Sequence, residues 1–383
     1  MRSLAILDST LREGEQFIKT FFTLEQRVMI ARLLDQIGVT FIEVPSPIAS
    51  PETRDAVQAI CEQKLTSRVV AHVRCAEADV QAALDTGVHG LNLFFGTSTE
   101  LRSFSHGRGI EQIANEAVPL IRHIRESGRY VRFSAEDAFR SDLVDLLTVF
   151  DAVVDAGVDR IGLPDTVGIA TPRQVDRLVT LIAQRYPNVG IEFHGHNDTG
   201  CAIANTIAAF ESGADCLDVT VMGIGERNGI ASLSGIISQL YIHYPDLLAA
   251  YDLTRLLELD QFVADALQIT IPYNMPITAP NAFTHRAGVH TKAVLRNPHA
   301  YEILNPDDFG LVRHVDIGSR FTGRYAVGHR ALALGLQLSS DEVSSLTQAL
   351  KERAEGGSLL DEEVNTFIRA WYEEKEGTLV WER

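Results

Sequence analysis

The chain has 383 residues, 45% of them apolar and 22% charged, with a formal net charge of −17. It is long enough for one large globular domain plus an appendage. The acidic surplus argues against nucleic acid, whose phosphates need a basic face, but not against a small anion, because a few arginines in one cleft outweigh the global sign.

No apolar run approaches a membrane span, so no membrane partner is expected. Met1-Arg2-Ser3-Leu4 passes straight into a strand-like segment, without the apolar stretch and cleavage site of a signal peptide. Cys61, Cys75, Cys201 and Cys216 are scattered and form no C-x-x-C, which reads as reduced thiols of a cytoplasmic protein.

In chain order, the first strand is expected at Leu4–Leu7, followed by the polar turn Asp8-Ser9-Thr10-Leu11-Arg12-Glu13-Gly14-Glu15-Gln16. Thr23 and Gln26 make a capping box that starts a helix, and Gly38 stops it ahead of a strand at Phe41–Val44. Ser50-Pro51 starts the next helix with an N-cap before proline. Strands at Arg68–His72 and Leu91–Phe95 flank a helix stopped by Gly87; strands at Tyr130–Phe133 and Arg160–Leu163 flank one stopped by Gly157. Thr171-Pro172 starts another helix before a strand at Gly190–Phe193, and Gly213 stops the helix before a strand at Cys216–Val219.

Eight strand–helix units in roughly 240 residues predict an α/β fold, a (β/α)8 TIM barrel. A doubly wound open sheet competes. It normally has fewer strands and a Gly-rich phosphate loop after the first one, and Asp8–Gln16 holds no such loop. Beyond the barrel, helices are expected at Thr254–Leu267, Asp341–Arg353 and Asp361–Tyr372, around an irregular Pro-, Asn- and Gly-rich stretch, Ile271–Arg324. The expected organisation is a barrel over residues 1–250, a linker and subdomain over 251–325, and a smaller, mostly helical C-terminal region over 326–383.

In a barrel, active sites lie at the C-terminal ends of the strands. Those ends carry Arg12 and Glu13, Glu43, His72, Asn92, Arg132 with Ser134 and Glu136, Asp165 and Thr166, His194 and His196, and Thr220. His194 and His196, in Phe193-His194-Gly195-His196-Asn197-Asp198, alternate at a strand end and so point to one side. With Glu13 they make a two-histidine, one-carboxylate set able to hold one divalent metal ion with open positions. Each has a blander reading: a packed histidine, or a surface carboxylate. A 2-oxo acid is a natural chelator for such a site, and the metal would polarise its keto carbon. Arg12 could stabilise charge growing on that oxygen. Arg132, Ser134 and Glu136 also alternate; Arg132 and Ser134 suit a substrate carboxylate, with His72 and Thr166 as further donors. In Gly223-Ile224-Gly225-Glu226-Arg227-Asn228-Gly229 the glycines permit close backbone approach to a ligand.

These features together resemble the acetyl-CoA-dependent 2-oxo acid condensing enzymes, the isopropylmalate/homocitrate synthase family of metal-dependent barrels. Two signatures carry the resemblance: Asp8–Gln16, and Phe193 through His196-Asn197-Asp198-Thr199-Gly200 to Ala204-Asn205. The homocitrate synthase branch is the most similar, through Arg132-Phe133-Ser134-Ala135-Glu136-Asp137, Gly223–Gly229, Ala282-Phe283-Thr284-His285-Arg286-Ala287-Gly288-Val289-His290 and Asn297-Pro298-His299-Ala300-Tyr301. The chain stops at 383, without the regulatory domain that usually follows in isopropylmalate synthases.

The resemblance implies a Claisen condensation of acetyl-CoA, as co-substrate, with a 2-oxo diacid. Glu13, His194 and His196 would bind the metal, which Mg²⁺, Mn²⁺ or Zn²⁺ would each suit. Arg12, Gln16, His72, Arg132, Ser134 and Thr166 would bind the 2-oxo acid, and Gly223, Gly225, Glu226, Arg227 and Asn228 the acetyl-CoA. Arg12, Glu136, His290 and Tyr301 would be catalytic, the last two acting across a homodimer with a swapped C-terminal region.

Two departures bear on the substrate. Asn92 stands where lysine-pathway homocitrate synthases usually carry Asp, which weakens any pairing with the ammonium of lysine. Asn274-Met275-Pro276-Ile277-Thr278-Ala279-Pro280 carries two stiffening prolines. A phosphonopyruvate-condensing paralogue of the 2-phosphonomethylmalate synthase type is therefore the alternative to homocitrate formation. A lyase or aldolase on the same barrel would not need His290 and Tyr301.

Overall fold

The computed structural model describes residues 4–381, with side chains through residue 375. Eight strands close into an all-parallel barrel: β1 (Ala5–Asp8), β2 (Phe41–Val44), β3 (Arg68–Arg74), β4 (Gly90–Gly96), β5 (Tyr130–Glu136), β6 (Arg160–Asp165), β7 (Gly190–Gly195) and β8 (Cys216–Val219). Closure is made by β8 against β1, with Ala5 opposite Cys216 and Asp8 opposite Val219.

The start and stop signals behave as the sequence suggests. Thr23 and Gln26 form both bonds of the capping box, and Gly38 ends that helix at φ 99°. Ser50 caps the helix Pro51–Cys61, and at the start of Pro172–Arg185 the Gln174 Oε1 accepts from the Thr171 backbone N–H and hydroxyl.

The strand ends are where expectation falls short. β5 runs on from Phe133 to Glu136, and β6 and β7 extend to Asp165 and Gly195. Polar side chains looked like the end of a strand. They continue the ladder because their inward side chains find partners across the barrel.

Alternate residues of each strand divide between the two faces. Outward residues such as Ile42, Val69, Leu91, Leu93, Phe133, Ile161 and Leu217 are buried. They meet helix faces carrying Ile30, Leu34, Val57, Ile121, Val149 and Val179. Inward, the N-terminal half is apolar, with Ala5, Leu7, Phe41, Val70 and Cys216 in one cluster against Tyr130. One step further along the strands the interior turns polar and charged: Glu43, Asn92, Arg132, Glu192 and Asp218 are all buried.

The chain divides into two compact units, residues 1–278 and 279–383. Residues 251–278, expected as the start of the linker, belong to the first. The helix Leu256–Leu267, preceded by a 3-10 turn at Leu253–Arg255, buries Leu256, Leu259, Val263, Ala264 and Leu267. Its Asp260 also accepts a hydrogen bond from the Thr278 hydroxyl.

The second unit packs Ile317, Val327, Leu346, Leu350, Val364 and Ile368 into its own core. Its helices are Gly288–Val294, Arg324–Ala333, Ser340–Arg353 and Asp361–Trp381. The stretch expected to be irregular thus contains a helix and a two-stranded parallel pairing of Thr284–His285 with His314–Val315, which the Pro and Gly content had masked. No helix among the described residues is long and apolar enough to cross a membrane.

Candidate active site

The C-terminal mouth of the barrel opens on a cavity of about 350 Å³, a size suited to a small organic acid. Of the residues singled out in the sequence, Arg12, Glu13, Gln16, His72, Arg132, Ser134, Glu136, Thr166, His194, His196, Glu226 and Arg227 line it. Gly223, Gly225 and Asn228 do not, and His290 and Tyr301 belong to the second unit, where their ring centroids lie 4.4 Å apart.

The centre of the cavity is the pair of imidazoles. Asp218, fully buried, accepts from the His194 Nδ1 at 2.6 Å and from the Ser9 hydroxyl at 2.6 Å. Donation from Nδ1 leaves the His194 Nε2 with its lone pair free. That Nε2 faces the His196 Nε2 at 3.2 Å, and Glu13 Oε1 is 3.9 Å from the latter. One ligand atom from each of Glu13, His194 and His196 lies within 4.8 Å of the others. Lone pairs converging at such spacing repel one another unless a cation sits among them, so the donor set fits a divalent metal ion.

Glu13 is held on both oxygens. Arg12 Nη1 donates to Oε2 at 2.7 Å and the Glu226 backbone N–H to Oε1 at 2.7 Å. Gly225 makes this possible: a Cβ there would stand 2.6 Å from Glu13 Oε1. The close approach expected of the Gly223–Gly229 turn is therefore an approach to Glu13. Burial pushes the Glu13 carboxyl up, but Arg12, His194 and His196 outweigh it and hold the group below its ordinary value. His196 is driven down to about 3, first by burial and then by the neighbouring His194, which keeps it neutral and available as a ligand.

Beneath the mouth, Glu43 gathers the cations. It accepts from Arg12 Nε at 2.6 Å, from Arg132 Nη2 at 3.0 Å and from the Asn92 amide. Arg132 also pairs with Glu192. Burial opposes charge on Glu43, yet Arg12, His72 and Arg132 hold it well below the carboxylate range. His72 is held down to about 4 by burial and then by Arg12, so it is a neutral donor or acceptor, with its ring stacked on Phe94 at 4.4 Å. Glu136 is shifted up by burial and then by Asp137, so it retains a proton more readily than an exposed glutamate.

The remaining wall is set by neighbours. Thr166 Oγ1 accepts from the Asp137 backbone N–H at 2.9 Å, which leaves its own proton to donate. Gly162 sits opposite Ser134, where a Cβ would collide with the serine hydroxyl. Arg227, in the left-handed region at φ 54°, bonds the Asp198 carboxylate and the Thr166 carbonyl.

Sequence reading missed Asp218, Phe94 and Pro164, and gave Glu43 no role. Asp218 had a signal: in Cys216-Leu217-Asp218-Val219 it alternates with Cys216, so it faces inward from a strand otherwise apolar.

A family model described as HMGL-like matches residues 3–263, and one described as homocitrate synthase post-HMGL domain-like matches residues 277–358. The cytosolic homocitrate synthase isozyme of Saccharomyces cerevisiae is 44% identical over 98% of this chain and 87% of its own length. The mitochondrial homocitrate synthase of Yarrowia lipolytica is 46% identical, over 96% and 82%. A probable 2-isopropylmalate synthase of Methanopyrus kandleri stands at 36%, over 92% and 70%. Among solved structures, hydroxymethylglutaryl-CoA lyase of Pseudomonas aeruginosa superposes with a TM-score of 0.63 at 20% identity, covering 77% of this chain and 98% of that one; it shares the fold. The barrel, the matched second unit and this identity across nearly the whole chain establish that the protein belongs to the homocitrate synthase family, with an HMGL-like barrel.

Proposed function

We propose that the chain condenses acetyl-CoA with 2-oxoglutarate and hydrolyses the thioester, giving homocitrate and CoA. The observation that carries this reading is the convergence of Glu13, His194 and His196 beside Arg12, Ser134 and Thr166 in one cavity, in a chain 44% identical to a homocitrate synthase.

Glu13, His194 and His196 hold a divalent ion, Mg²⁺, Mn²⁺ or Zn²⁺, which when bound supplies Lewis-acid polarisation of a 2-oxo group. Arg12 directs its guanidinium at the same place and stabilises the alkoxide that forms. Its charge is secure, because Glu43, Glu13 and Asp218 overcome the effect of burial and raise its affinity for the proton. Ser134, Thr166, Gln16 and His72 orient the substrate carboxylates. Arg132 acts from below: its guanidinium is engaged by Glu43 and Glu192, so it grips a substrate carboxylate only by giving up one of these partners.

Proton removal from the acetyl methyl group falls to His290, in ring contact with Tyr301, with Glu136 as the carboxyl that exchanges protons in the cavity. Gly223, Gly225, Glu226, Arg227 and Asn228 border the acetyl-CoA. His290 and Tyr301 serve the barrel of a second copy in a homodimer, and the protein works in the cytoplasm. Mixing inactive Glu13→Gln and His290→Ala chains tests the dimer: restored activity supports action in trans, and none refutes it.

Thiol release from acetyl-CoA, measured against 2-oxoglutarate, phosphonopyruvate, 2-oxoisovalerate, pyruvate and oxaloacetate, tests the reaction. Preference for 2-oxoglutarate is expected. Preference for phosphonopyruvate would move the chain to the phosphonate branch, and no thiol release with any acid would refute the condensation.

A further inference from the structure

The second unit carries an open cleft of its own, about 730 Å³, bordered by the helices Gly288–Val294, Arg324–Ala333 and Ser340–Arg353. Two glycine contacts set its shape. Gly288 and Gly323 cross so closely that a Cβ on Gly288 would stand 2.9 Å from the Gly323 Cα, and Gly328 lies against Val343. The apolar part of its lining is Val289, Leu332, Leu338 and Val343, of which Val289 and Leu332 are exposed.

The walls are basic. Lys292, Arg296, Arg324 and His329 all line the cleft, and no Asp or Glu does among the described residues. Elsewhere some cations are matched, as in Arg185 with Asp151 or Arg313 with Glu302, and others, such as Arg54 and Arg173, are in no ion pair among the described residues. None of the four cleft cations is in an ion pair among the described residues. The nearby carboxylate of Glu342 is engaged by Lys375 and by the Ser339 backbone N–H. Cations that line one cleft with no carboxylate among them favour an anion there.

Two details narrow the anion. The Arg296 guanidinium lies over the Tyr325 ring at 5.2 Å, a flat platform that keeps its N–H fork in plane for phosphate oxygens. Arg324 begins a ten-residue helix whose N-cap, Gly323, has no side chain to satisfy the first-turn N–H groups. The positive end of that helix thus adds to the cations. Unpaired cations, a guanidinium stacked on an aromatic ring and apolar side chains in one cleft suit a ligand with phosphate at one end and a flat ring at the other.

We infer that this cleft binds a phosphorylated organic anion with an aromatic ring, the chemistry shared by free adenine nucleotides and the nucleotide end of coenzyme A. The site stands on the second unit's own residues and does not require the condensation proposed above.

Calorimetric titration of the full chain, without 2-oxo acid, tests it with adenosine 3′,5′-bisphosphate, ADP and CoA. Adenosine 3′,5′-bisphosphate should bind, and the double variant Arg296→Gln/Arg324→Gln should bind at least about tenfold more weakly. The lysine pair Arg296→Lys/Arg324→Lys should recover part of the loss, which a merely structural defect would not allow. Should the double variant melt early, the exposed single variant Lys292→Gln gives the same comparison.

The sources separate in the same experiment. If the 3′-phospho end of CoA is the ligand, CoA outbinds 3′-dephospho-CoA, and Arg324→Gln raises KM for acetyl-CoA with kcat unchanged. If a free nucleotide is the ligand, ADP binds as well as CoA and KM does not move. Equal affinity of variants and wild type, or no binding of any of the three anions at about 1 mM, overturns the site.

Discussion

Replacing Asp218 by Asn tests the site through a residue that lines the cavity without being one of its three convergent ligands. Asp218 is fully buried and accepts two short bonds, from Ser9 and from the His194 Nδ1. An Asn can still accept from Ser9 through Oδ1, but its NH₂ then faces His194. The imidazole must turn its lone pair to Nδ1 and carry its proton on Nε2, into the space where its lone pair faces His196 and Glu13. Loss of such a carboxylate partner typically weakens metal affinity by about 10- to 100-fold, or about 1.4 to 2.7 kcal/mol. The fold should survive, because Asn is nearly isosteric and loses one buried charge together with its bond. Titration of metal-free protein with Mn²⁺, followed by calorimetry, measures the effect directly, and far-UV circular dichroism checks the fold. A well-folded D218N chain that binds Mn²⁺ within about twofold of wild type would refute the argument that Asp218 sets the His194 tautomer.

Metal removal should destabilise the protein: adding the ion at about 100 times its Kd should stabilise it by about 2.7 kcal/mol. Thermal melting with and without chelator reads this, and a melting temperature insensitive to metal would count against a site in the native fold. Lysine at micromolar concentration should leave thiol release unchanged, since Glu43 is already neutralised by Arg12 and Arg132 and bonded by Asn92; inhibition there would contradict this. Asp260 is pushed up from 3.8 to about 7 by burial. Its folded value is raised, so the stability it contributes is full below about pH 4 and is lost as the pH rises through about 7. Asp260→Asn, which keeps an acceptor for Thr278, should therefore gain stability over wild type at pH 8, by at most about 4 kcal/mol, and little at pH 4. Denaturant unfolding at the two pH values checks the sign, and an equal effect at both would refute it.

The sequence by itself determined the barrel and most of its mouth. Helix stops at glycine, capping boxes and proline starts are local devices, set by a few neighbouring residues, so Thr23, Gly38, Ser50 and Thr171 could be read directly. The strand period of two placed His194 with His196, and Arg132 with Ser134 and Glu136, on one face. Tertiary structure decided the partnerships. Ser9 and Asp218 are 209 residues apart in sequence, and Arg132 and Glu43 are 89 apart. Only barrel closure makes them neighbours. It also decided that Gly225 serves Glu13, and that Arg132 is drawn inward between two glutamates, because a buried charge takes whichever opposite charge the closed fold brings within reach.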